Sequence, residues 1–571
     1  MGTRGVVTSG HYLASAVGLK TMQGGGNAID AGVAMGFALA VLEPHLNGIG
    51  GEVPILVWSA KTKRPVVISG QGVAPRKATV EWFRSSGIRL IPGDGFLPAT
   101  VPGAFDGWLT ALRLYGSLSL GDVLEPAVEL ARRGFPMYRG LRESIRMHEE
   151  RFLREWPTTA EVFLSGGRPP EVGEVFRQEA WADTFERVLD EERRASTRGR
   201  EAALQAARDF FYKGMVANRI VAFSSGTAVF DASGKAHRGL LELPDLAGYH
   251  AKVEAPVSYE YGGVVVHKCG PWSQGPVFLQ QLSLLKGFDL RALGHNSSSY
   301  VHVVVEAAKL AFADRERFYG DPEFAQVPLA RLLSDTYAGE RRRLIDLEKA
   351  SLEQRPGSLS SQGSDERYTT PSAGAPVGDT THLDAVDAER NMVAATPSGG
   401  WIQSSPLIEG LGFPLGTRGQ MFSLDPQHPN CLQPGKRPRT TLTPSLATRG
   451  GKPWMVFGTP GGDQQDQWTL QFFLNIVDFE MGLQEAIEAP TFHSTHFPSS
   501  FYPREAHPGT LHVEARISAS VREELKAKGH TVVVDGEWSH GRVLAATIDE
   551  ERGVLSAAAS PRGETAYALG W

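Results

Sequence analysis

The sequence predicts a mixed α/β fold in which two helical layers flank stacked β-sheets. Three observations support this prediction: an opening that alternates strands with small-residue helices, a long helical middle, and a strand-rich C-terminal third. The chain has 571 residues, more than the ~250–300 at which a single hydrophobic core usually stops growing. We therefore expect either two lobes or one large layered fold.

Hydrophobic periodicity assigns the elements of the first half. Short β-branched runs alternate with helical spacing in residues 1–77, and helical spacing dominates residues 99–350. Charged residues concentrate on the middle helices, which indicates solvent-exposed outer faces. The predicted helices are 11–23, 27–42, 121–133, 181–208 and 298–318, and the predicted strands are 54–58, 66–68 and a β stretch at 253–267.

A change of composition separates the two halves of the chain. Residues 351–377 are rich in Ser, Gly, Pro and Gln and contain hardly any large aliphatic residue, so they cannot bury enough surface to fold. We predict a flexible linker there, reaching to residue 379. Beyond it the predicted strands are 381–386, 392–396, 454–458 and 543–548, and the predicted helices are 464–479 and 517–528.

The overall composition argues against several functional classes. Hydrophobic residues make up 41% of the chain, charged residues 21%, and the net charge is -6, which offers no basic surface for nucleic acid. No apolar run reaches the ~18 residues that a membrane span needs. The start lacks the basic and apolar regions of a signal peptide, so we expect a cytoplasmic protein, although a chain trimmed of an export signal would look the same.

Neither a disulfide framework nor a metal site is expected. Cys269 and Cys431 are the two cysteines, and we expect buried thiols, with pairing of the two as the lesser alternative. The histidines show no spacing typical of metal ligands, so no metal or other cofactor is predicted. The glycine run at 24–26 lacks the lysine of a P-loop and the spacing of a dinucleotide fingerprint, which favours close helix packing over phosphate binding.

The motif GDTTH at 378–382 is the strongest candidate for chemistry. It places Thr380 between the predicted linker and a strand-like run, as a self-cleaving hydrolase requires. If the chain itself cuts the bond between Asp379 and Thr380, the freed α-amino group can act as general base for the Thr380 hydroxyl. The alternative interpretation is a strand that begins after a loop.

Two further segments supply polar groups in the same half of the chain. Segment 434–445, PGKRPRTTLTPS, collects hydroxyls and cations in a proline-bounded turn. In GTPGGD at 458–463, the backbone N–H groups of Gly461 and Gly462 can point at a developing oxyanion at the start of a helix. A tight turn that needs positive φ is the alternative for each. The polar run at 463–468 is either an N-cap or a second wall of the pocket.

With these motifs, the chain resembles the γ-glutamyltranspeptidase family of N-terminal-nucleophile hydrolases over nearly its full length. The resemblance rests on GGGNAIDA at 24–31, VPGA at 101–104, TTH at 380–382, KRP and its hydroxyl run from 436, and PGG at 460–462. It implies a four-layer αββα sandwich made as one proenzyme. Self-cleavage would yield a large subunit, 1–379, and a small subunit, 380–571, which stay together as a heterodimer within one intertwined fold, with or without further oligomerisation.

By position, the resemblance also assigns roles around an acyl-enzyme formed on Thr380. The assigned groups are hydroxyls or backbone N–H groups, which orient the amine or bind oxygens without adding charge. They are Ser398 for the freed amino group, Thr396 in the strand facing the nucleophile, Thr440 and Thr441 near the substrate carboxylate, and Gly461 and Gly462 for the oxyanion hole. His382 lies on the same strand face as Thr380, but the Thr380 amine already supplies the base.

Two loops depart from the family pattern. Recognition of a γ-glutamyl group in this family pairs an arginine with the α-carboxylate and an aspartate with the α-amino group, because a zwitterion in a partly dry pocket needs both partners. Gln71 stands at or beside the arginine position, and Gln420 and Met421 replace two acidic residues. Arg418, in the same loop as Gln420, either binds a carboxylate from another direction or is a surface-turn arginine.

These departures favour an acyl group that carries a carboxylate and no α-amine, such as a glutaryl or oxamate-like acid. The chain is in this respect similar to glutaryl-cephalosporin acylases and oxamate amidohydrolases, and glutathione should be a poor substrate because its ammonium would lack a partner. The sequence therefore predicts an autoprocessing hydrolase or acyltransferase that acts on a small amide. The alternatives are a genuine γ-glutamyl hydrolase or transferase and a non-catalytic binding protein on the same scaffold.

Overall fold

The computed structural model describes residues 1–358 and 379–571. The strands are β1 (Gly5–Ser9), β2 (Val53–Ser59), β3 (Arg64–Gly70), β4 (Phe135–Pro136), β5 (Val175–Phe176), β6 (Val229–Phe230), β7 (Ala236–His237), β8 (Lys252–Glu254), β9 (Val257–Tyr261), β10 (Val264–Lys268), β11 (Leu383–Asp387), β12 (Met392–Ala395), β13 (Ser445–Arg449), β14 (Lys452–Gly458), β15 (Phe492–Ser494), β16 (Thr510–Glu514), β17 (Thr531–Asp535), β18 (Leu544–Asp549), β19 (Val554–Ala559) and β20 (Tyr567–Gly570).

The helices pack outside these strands. They are α1 (Tyr12–Gln23), α2 (Ala28–Leu42), α3 (Val80–Ser85), α4 (Ala104–Tyr115), α5 (Leu120–Arg133), α6 (Arg139–Met147), α7 (Glu149–Glu155), α8 (Pro157–Phe163), α9 (Glu179–Ala195), α10 (Arg200–Tyr212), α11 (Met215–Gly226), α12 (Leu243–Ala247), α13 (Gly275–Leu285), α14 (Leu290–Leu293), α15 (Ser298–Phe318), α16 (Leu329–Leu332), α17 (Asp335–Arg342), α18 (Gln465–Val477), α19 (Leu483–Glu488) and α20 (Ala519–Ala527). Short 3-10 turns lie at Ser196–Arg198, Arg418–Met421 and Gly462–Gln464.

Two antiparallel sheets form the centre of the molecule. In the described part of the chain, one sheet has the strand order β20-β1-β11-β12-β2-β3-β8, and the other has the order β19-β18-β14-β13-β10-β9. Both sheets contain strands from before and after residue 380, interleaved in the first sheet and in two adjoining blocks in the second. In the first sheet, β11 and β12 lie between β1 and β2, and in the second, β13 pairs with β10.

The alternation of side chains along each strand creates the layers. On β2, Ile55 and Val57 pack under helices α1, α2 and α4, whereas Leu56 points to the opposite face and packs against the second sheet. Helices α13, α15 and α18 cover the outer face of the second sheet. The order helix, sheet, sheet, helix agrees with the predicted αββα arrangement.

Helix α2 shows why the first helical layer is rigid. Asn27 and Asp30 form a capping box, and every residue of Ala28–Leu42 is buried, as expected of a helix that is apolar on all faces. The three N–H groups of the glycine run 24–26 donate to carbonyls of α1, at 2.9 to 3.1 Å. They end that helix, in agreement with the packing role predicted for the run, and none of the three is directed at a phosphate.

The single helix predicted over 181–208 is wrong. The structure has two helices there, α9 and α10, joined by the 3-10 turn Ser196–Arg198 and by Gly199 at φ 98. Glycine adopts such a positive φ without steric cost, so it breaks a run whose apolar spacing continues through the turn. Helix α15, in contrast, has the predicted bounds, because its apolar spacing and its Ser297 cap are local signals.

Part of the predicted linker is held against the helical layer. The Arg355 guanidinium lies 2.8 Å from a carboxylate oxygen of Glu306, and the Gly357 N–H donates to Asp314 at 2.7 Å. These polar contacts hold residues 351–358 in place, although the segment has few apolar side chains to bury. The rest of the predicted linker, residues 359–378, lies outside the described residues.

The structure also tests the expectations for the two cysteines and for membrane-spanning helices. Cys269 and Cys431 are buried and unpaired, which excludes a disulfide between them. In the described part of the chain, every helix is too short or too polar to cross a lipid bilayer.

The fold also brings together His302, Glu306 and His530, a group with ligand atoms within 4.8 Å of one another that the spacing of the histidines does not suggest. Both carboxylate oxygens of Glu306 are already occupied, by Lys309 at 2.7 Å and by Arg355 at 2.8 Å. Two cations beside the carboxylate disfavour a divalent metal at this place.

Candidate active site

Thr380 lies immediately before β11, near the centre of the seven-stranded sheet. It is 2% exposed and forms an isolated β-bridge with Ser398, which follows β12. The Thr380 Oγ1 atom is 3.1 Å from the Ser398 Oγ atom. The predicted nucleophile and the predicted orienting hydroxyl are therefore neighbours on paired segments.

The Ser398 hydroxyl links the nucleophile to the preceding peptide group. Its Oγ donates to the carbonyl oxygen of Asp379, at 3.0 Å, and the Arg418 guanidinium donates to the same Oγ, at 2.9 Å. A hydroxyl has one proton to give and two lone pairs. Ser398 therefore accepts a hydrogen bond from the Thr380 hydroxyl while it donates one to the Asp379 carbonyl oxygen.

A buried ion pair orients Ser398. Arg418 Nε lies 2.6 Å from Glu52 Oε1, and both residues are almost fully buried. The interpretation of Arg418 as a surface-turn arginine is therefore wrong. Its guanidinium is shared between Glu52 and Ser398, so a substrate carboxylate would have to compete with a carboxylate of the chain itself.

Thr396 and His382 form a separate network between the sheets. The His382 Nδ1 atom is 2.9 Å from Thr396 Oγ1, and Nε2 is 2.9 Å from Asp384 Oδ1. All three residues are fully buried, and the His382 ring lies over Gly458 of the second sheet. Both side chains support the strands next to Thr380, and neither has a contact with its hydroxyl among the described residues.

The glycine pair faces the same cavity as the residue before Thr380. Gly461 and Gly462 have φ values of 124 and 56, and they precede helix α18. A Cβ atom on Gly461 would lie 2.2 Å from the Trp468 ring, so only glycine fits there. Together with Asp379, the pair lines a cavity of about 840 Å³, called the active-site cavity below.

Of the two roles predicted for the polar run after the glycine pair, the structure shows the cavity wall, whereas helix α18 begins without a side-chain cap. Asp463 accepts hydrogen bonds from Ser500 N at 2.8 Å and from Ser500 Oγ at 2.6 Å, and it pairs with Arg315. Asp463 and Gln464 also line the active-site cavity. The run therefore begins a helix and forms part of the cavity wall.

The remaining predicted substrate residues form hydrogen bonds or contacts with groups other than Thr380 wherever the structure describes them. Gln420 donates to Gly93 O at 3.0 Å and accepts from Tyr502 N at 3.0 Å, so it braces a loop that lines the active-site cavity. The Met421 sulfur lies 3.9 Å from Arg418 Nη1.

Three more of these predicted residues are buried. Gln71, Thr440 and Thr441 are each about 1% exposed, and within the described ranges the hydrogen bonds of the Thr380 N–H and hydroxyl are to Asp379 and Ser398 instead. The Gln71 Oε1 and Thr441 Oγ1 atoms have no hydrogen-bond partner in the part of the chain that is described.

The sequence did not single out Arg542. Its Nη2 atom lies 2.5 Å from Asp379 Oδ2, and its backbone N–H donates to Thr459 Oγ1 at 2.9 Å, next to the glycine pair. Arg542 also lines the active-site cavity. The available signal was weak: a cation in SHGR at 539–542, directly before a predicted strand.

Glu43 is a second residue that sequence reasoning missed. It lies with Thr380, Thr381 and Arg542 on a small cavity of about 60 Å³. Burial raises the pKa of the Glu43 carboxyl from 4.5 to about 7, and the Thr381 hydroxyl and Arg542 oppose this rise only in part.

We expect Glu43→Gln to stabilise the folded chain at alkaline pH. The folded carboxyl holds its proton more tightly than the unfolded one, so stability falls as the pH rises from 4.5 to about 7 and stays low above that. One pKa unit corresponds to about 1.4 kcal/mol, so the loss at pH 8 is about 3 kcal/mol. Urea unfolding at pH 5 and pH 8, in an uncut Thr380→Ala background, measures this difference.

The exposed Glu389→Gln variant serves as the control and should leave the pH dependence unchanged. Equal pH dependence in the Glu43→Gln and Glu389→Gln variants would contradict the assignment.

Comparison with known proteins relates this geometry to a family. The profile of the gamma-glutamyltranspeptidase family matches residues 14–570. The glutathione hydrolase-like YwrD proenzyme of Bacillus subtilis (strain 168) is 35% identical over 575 residues, which cover 99% of this chain and 98% of the relative. The solved structure of LmbA2991HD has a TM-score of 0.96 and 48% identity, covering 100% of this chain and 98% of the other. The cephalosporin acylase from Bacillus halodurans has a TM-score of 0.84 and 31% identity, covering 100% of this chain and 96% of the other.

The four layers and these neighbours define an N-terminal-nucleophile hydrolase fold. The chain belongs to the γ-glutamyltranspeptidase family, whose members include glutathione hydrolases and acylases. The predicted family and fold are thereby confirmed.

Proposed function

We propose that this protein is an autoprocessing amide hydrolase with acyl-transfer ability and that Thr380 is its nucleophile. The observation that carries the proposal is the hydrogen-bond relay from Thr380 Oγ1 through Ser398 Oγ to the Asp379 carbonyl oxygen. The relay gives the nucleophile a proton acceptor and polarises the carbonyl that it attacks.

Self-cleavage begins when Thr380 Oγ1 attacks the carbonyl carbon of Asp379. The Thr380 hydroxyl proton passes to Ser398, and Ser398 passes its own proton toward the carbonyl oxygen. When the C–N bond breaks, the nitrogen of Thr380 takes up a proton and an ester joins Asp379 to Thr380 Oγ1. Water then hydrolyses the ester, leaving a carboxylate on Asp379 and a free amine on Thr380.

The same threonine then turns over external amides. Its free amine accepts the Oγ1 proton as Oγ1 attacks the substrate carbonyl, and the N–H groups of Gly461 and Gly462 stabilise the oxyanion. The leaving amine departs with that proton, and water or another amine resolves the acyl-enzyme. Mass spectrometry of the active protein under denaturing conditions tests the proposal, because it requires fragments 1–379 and 380–571.

The acyl group that suits this site lacks an α-amino group. Turn Arg418–Met421 contains no carboxylate, the Gln420 amide is bound to the backbone of Gly93 and Tyr502, and Glu52 is paired with Arg418. An ammonium placed against this turn would therefore lack a free carboxylate as its counter-charge, at a cost of several kcal/mol. The competing candidate, a γ-glutamyl hydrolase or transferase, is favoured by the names of relatives such as the glutathione hydrolase of Escherichia coli, 30% identical over 548 residues.

We expect a glutaryl nitroanilide to be hydrolysed with a kcat/KM at least about tenfold above that of the γ-glutamyl nitroanilide, since an unpaired charge costs more than about 1.4 kcal/mol. The two substrates differ only in the α-amino group, so each is the matched control of the other. Initial rates of nitroaniline release measure the ratio. A preference for the γ-glutamyl substrate would instead support the competing candidate.

A further inference from the structure

Asp379 is held at three points in the uncut chain, one of which is the hydrogen bond that its Oδ1 accepts from the Thr380 N–H at 2.8 Å. Its carbonyl oxygen accepts from Ser398 Oγ at 3.0 Å, and its carboxylate Oδ2 lies 2.5 Å from Arg542 Nη2. Asp379 is the residue on the acyl side of the bond that Thr380 is proposed to attack. The uncut chain therefore shows an acyl group bound in place, with its side-chain carboxylate against an arginine.

The position of this acyl group constrains any later substrate. Thr380 Oγ1 has to attack both carbonyls from the same direction, so the substrate carbonyl takes the place of the Asp379 carbonyl. Arg542, Gly461, Gly462 and Asp379 line one cavity, so the group that replaces the Asp379 side chain lies against Arg542.

Arg542 differs from the other arginines near the site in its partners. Arg562, also on the cavity wall, is paired with Glu514 at 2.6 Å, and Arg418 is paired with Glu52 at 2.6 Å. Within the described residues, Asp379 is the carboxylate within ion-pair distance of Arg542. Cleavage turns Asp379 into a chain end, and once it withdraws, the guanidinium of Arg542 faces the cavity without that partner.

We infer that Arg542 is the carboxylate receptor of the processed site and that the preferred acyl group is succinyl-like. In aspartate, two carbon atoms separate the reacting carbonyl from the side-chain carboxylate, which is the spacing of a succinyl group. This inference rests on the proposed function and names its substrate class. It moves the carboxylate-binding role predicted for Arg418 to Arg542.

The substrate pair that tests the inference is succinyl nitroanilide and the uncharged succinamoyl nitroanilide, which have nearly the same shape. We expect the processed wild-type enzyme to prefer the succinyl substrate in kcat/KM by roughly 10- to 100-fold, the value of one charge-assisted contact. Equal rates for the two substrates would overturn the inference without any mutation.

Variants of Arg542 assign the effect to this residue. In the processed enzyme, Arg542→Gln should reduce the ratio of the succinyl to the succinamoyl kcat/KM to about one, whereas Arg542→Lys should retain part of the preference. Arg390→Gln, at a surface ion pair with Glu550, is the matched control and should keep the full preference. A preference that survives in Arg542→Gln would overturn the inference.

Asp379→Asn supplies a test that does not alter Arg542. It replaces the carboxylate by a carboxamide at the same place, so self-cleavage followed by mass spectrometry should slow by a similar factor, and unchanged cleavage would count against the receptor role. The proposed function and the inference about Arg542 are contradicted by different results. An active protein that remains one uncut chain would end the proposed function, whereas a cut enzyme with equal rates for the succinyl and succinamoyl substrates would end only the inference about Arg542.

Discussion

Thr380→Ala should give one uncut chain without amidase activity. The substitution removes Oγ1, the atom that lies 3.1 Å from Ser398 Oγ and that the proposed mechanism uses both for self-cleavage and for turnover. Loss of a covalent nucleophile typically costs about 10⁶-fold in rate, so both reactions should fall below detection. Mass spectrometry under denaturing conditions and nitroaniline release measure the two outcomes on one sample.

Thr380→Ser is the matched control for the alanine variant. It keeps the hydroxyl and the amine and loses only the methyl group that fixes the rotamer, so we expect slow cleavage and retained turnover. Wild-type protein that is fully active as a single chain would refute the mechanism, because its Thr380 nitrogen would still be part of an amide. Cleavage of Thr380→Ala at the same bond would refute it equally.

Arg418→Met is expected to have the second largest effect, on both stability and self-cleavage. It leaves Glu52 fully buried without a cation, which typically costs about 3–5 kcal/mol. It also removes the donor that lies 2.9 Å from Ser398 Oγ, so the serine no longer has a fixed orientation toward the Asp379 carbonyl. Urea unfolding in a Thr380→Ala background and cleavage rates in the Thr380 background separate the two effects.

The double variant Glu52→Gln with Arg418→Met distinguishes charge from orientation. Removing both charges should restore much of the stability, because no buried carboxylate is left unpaired. Self-cleavage should remain slow, because Ser398 still lacks its donor. If Arg418→Met proved as stable as the surface control Arg390→Gln, the buried ion pair would not have the role assigned to it here.

Local sequence signals were sufficient for most of the fold. Apolar spacing and a serine cap place α15, and the glycine pair at 461–462 predicts the turn before α18. The division of 181–208 into two helices depends on the positive φ at Gly199, which apolar spacing does not reveal. The contacts of residues 351–358 likewise depend on buried charges elsewhere in the chain, and the composition of the segment gives no sign of them.

The proximity of the predicted hydroxyl residues could be expected from the sequence, whereas the pairing of the charged residues around them could not. Thr380 and the glycine pair come from short motifs and Ser398 from its position in the family resemblance, and the structure places Thr380 beside Ser398 and the glycine pair on the cavity next to Asp379. The partner of Arg418 lies 366 positions away, and that of Arg542 lies 163 positions away. Only the folded sheets bring such charges together, and a sequence without its fold does not indicate which acid neutralises which base.

The mixing of strands from the two parts of the chain in both sheets has a consequence for the stability of the processed molecule. A cut before Thr380 would leave β11 and β12 hydrogen-bonded between β1 and β2, strands of the other fragment. Neither fragment would contain all the strands of either central sheet, so separating the fragments would expose the hydrophobic core of both. Hydrolysis of the bond would therefore free one amine without separating the two fragments. The new N-terminus would form inside a fold that is already complete.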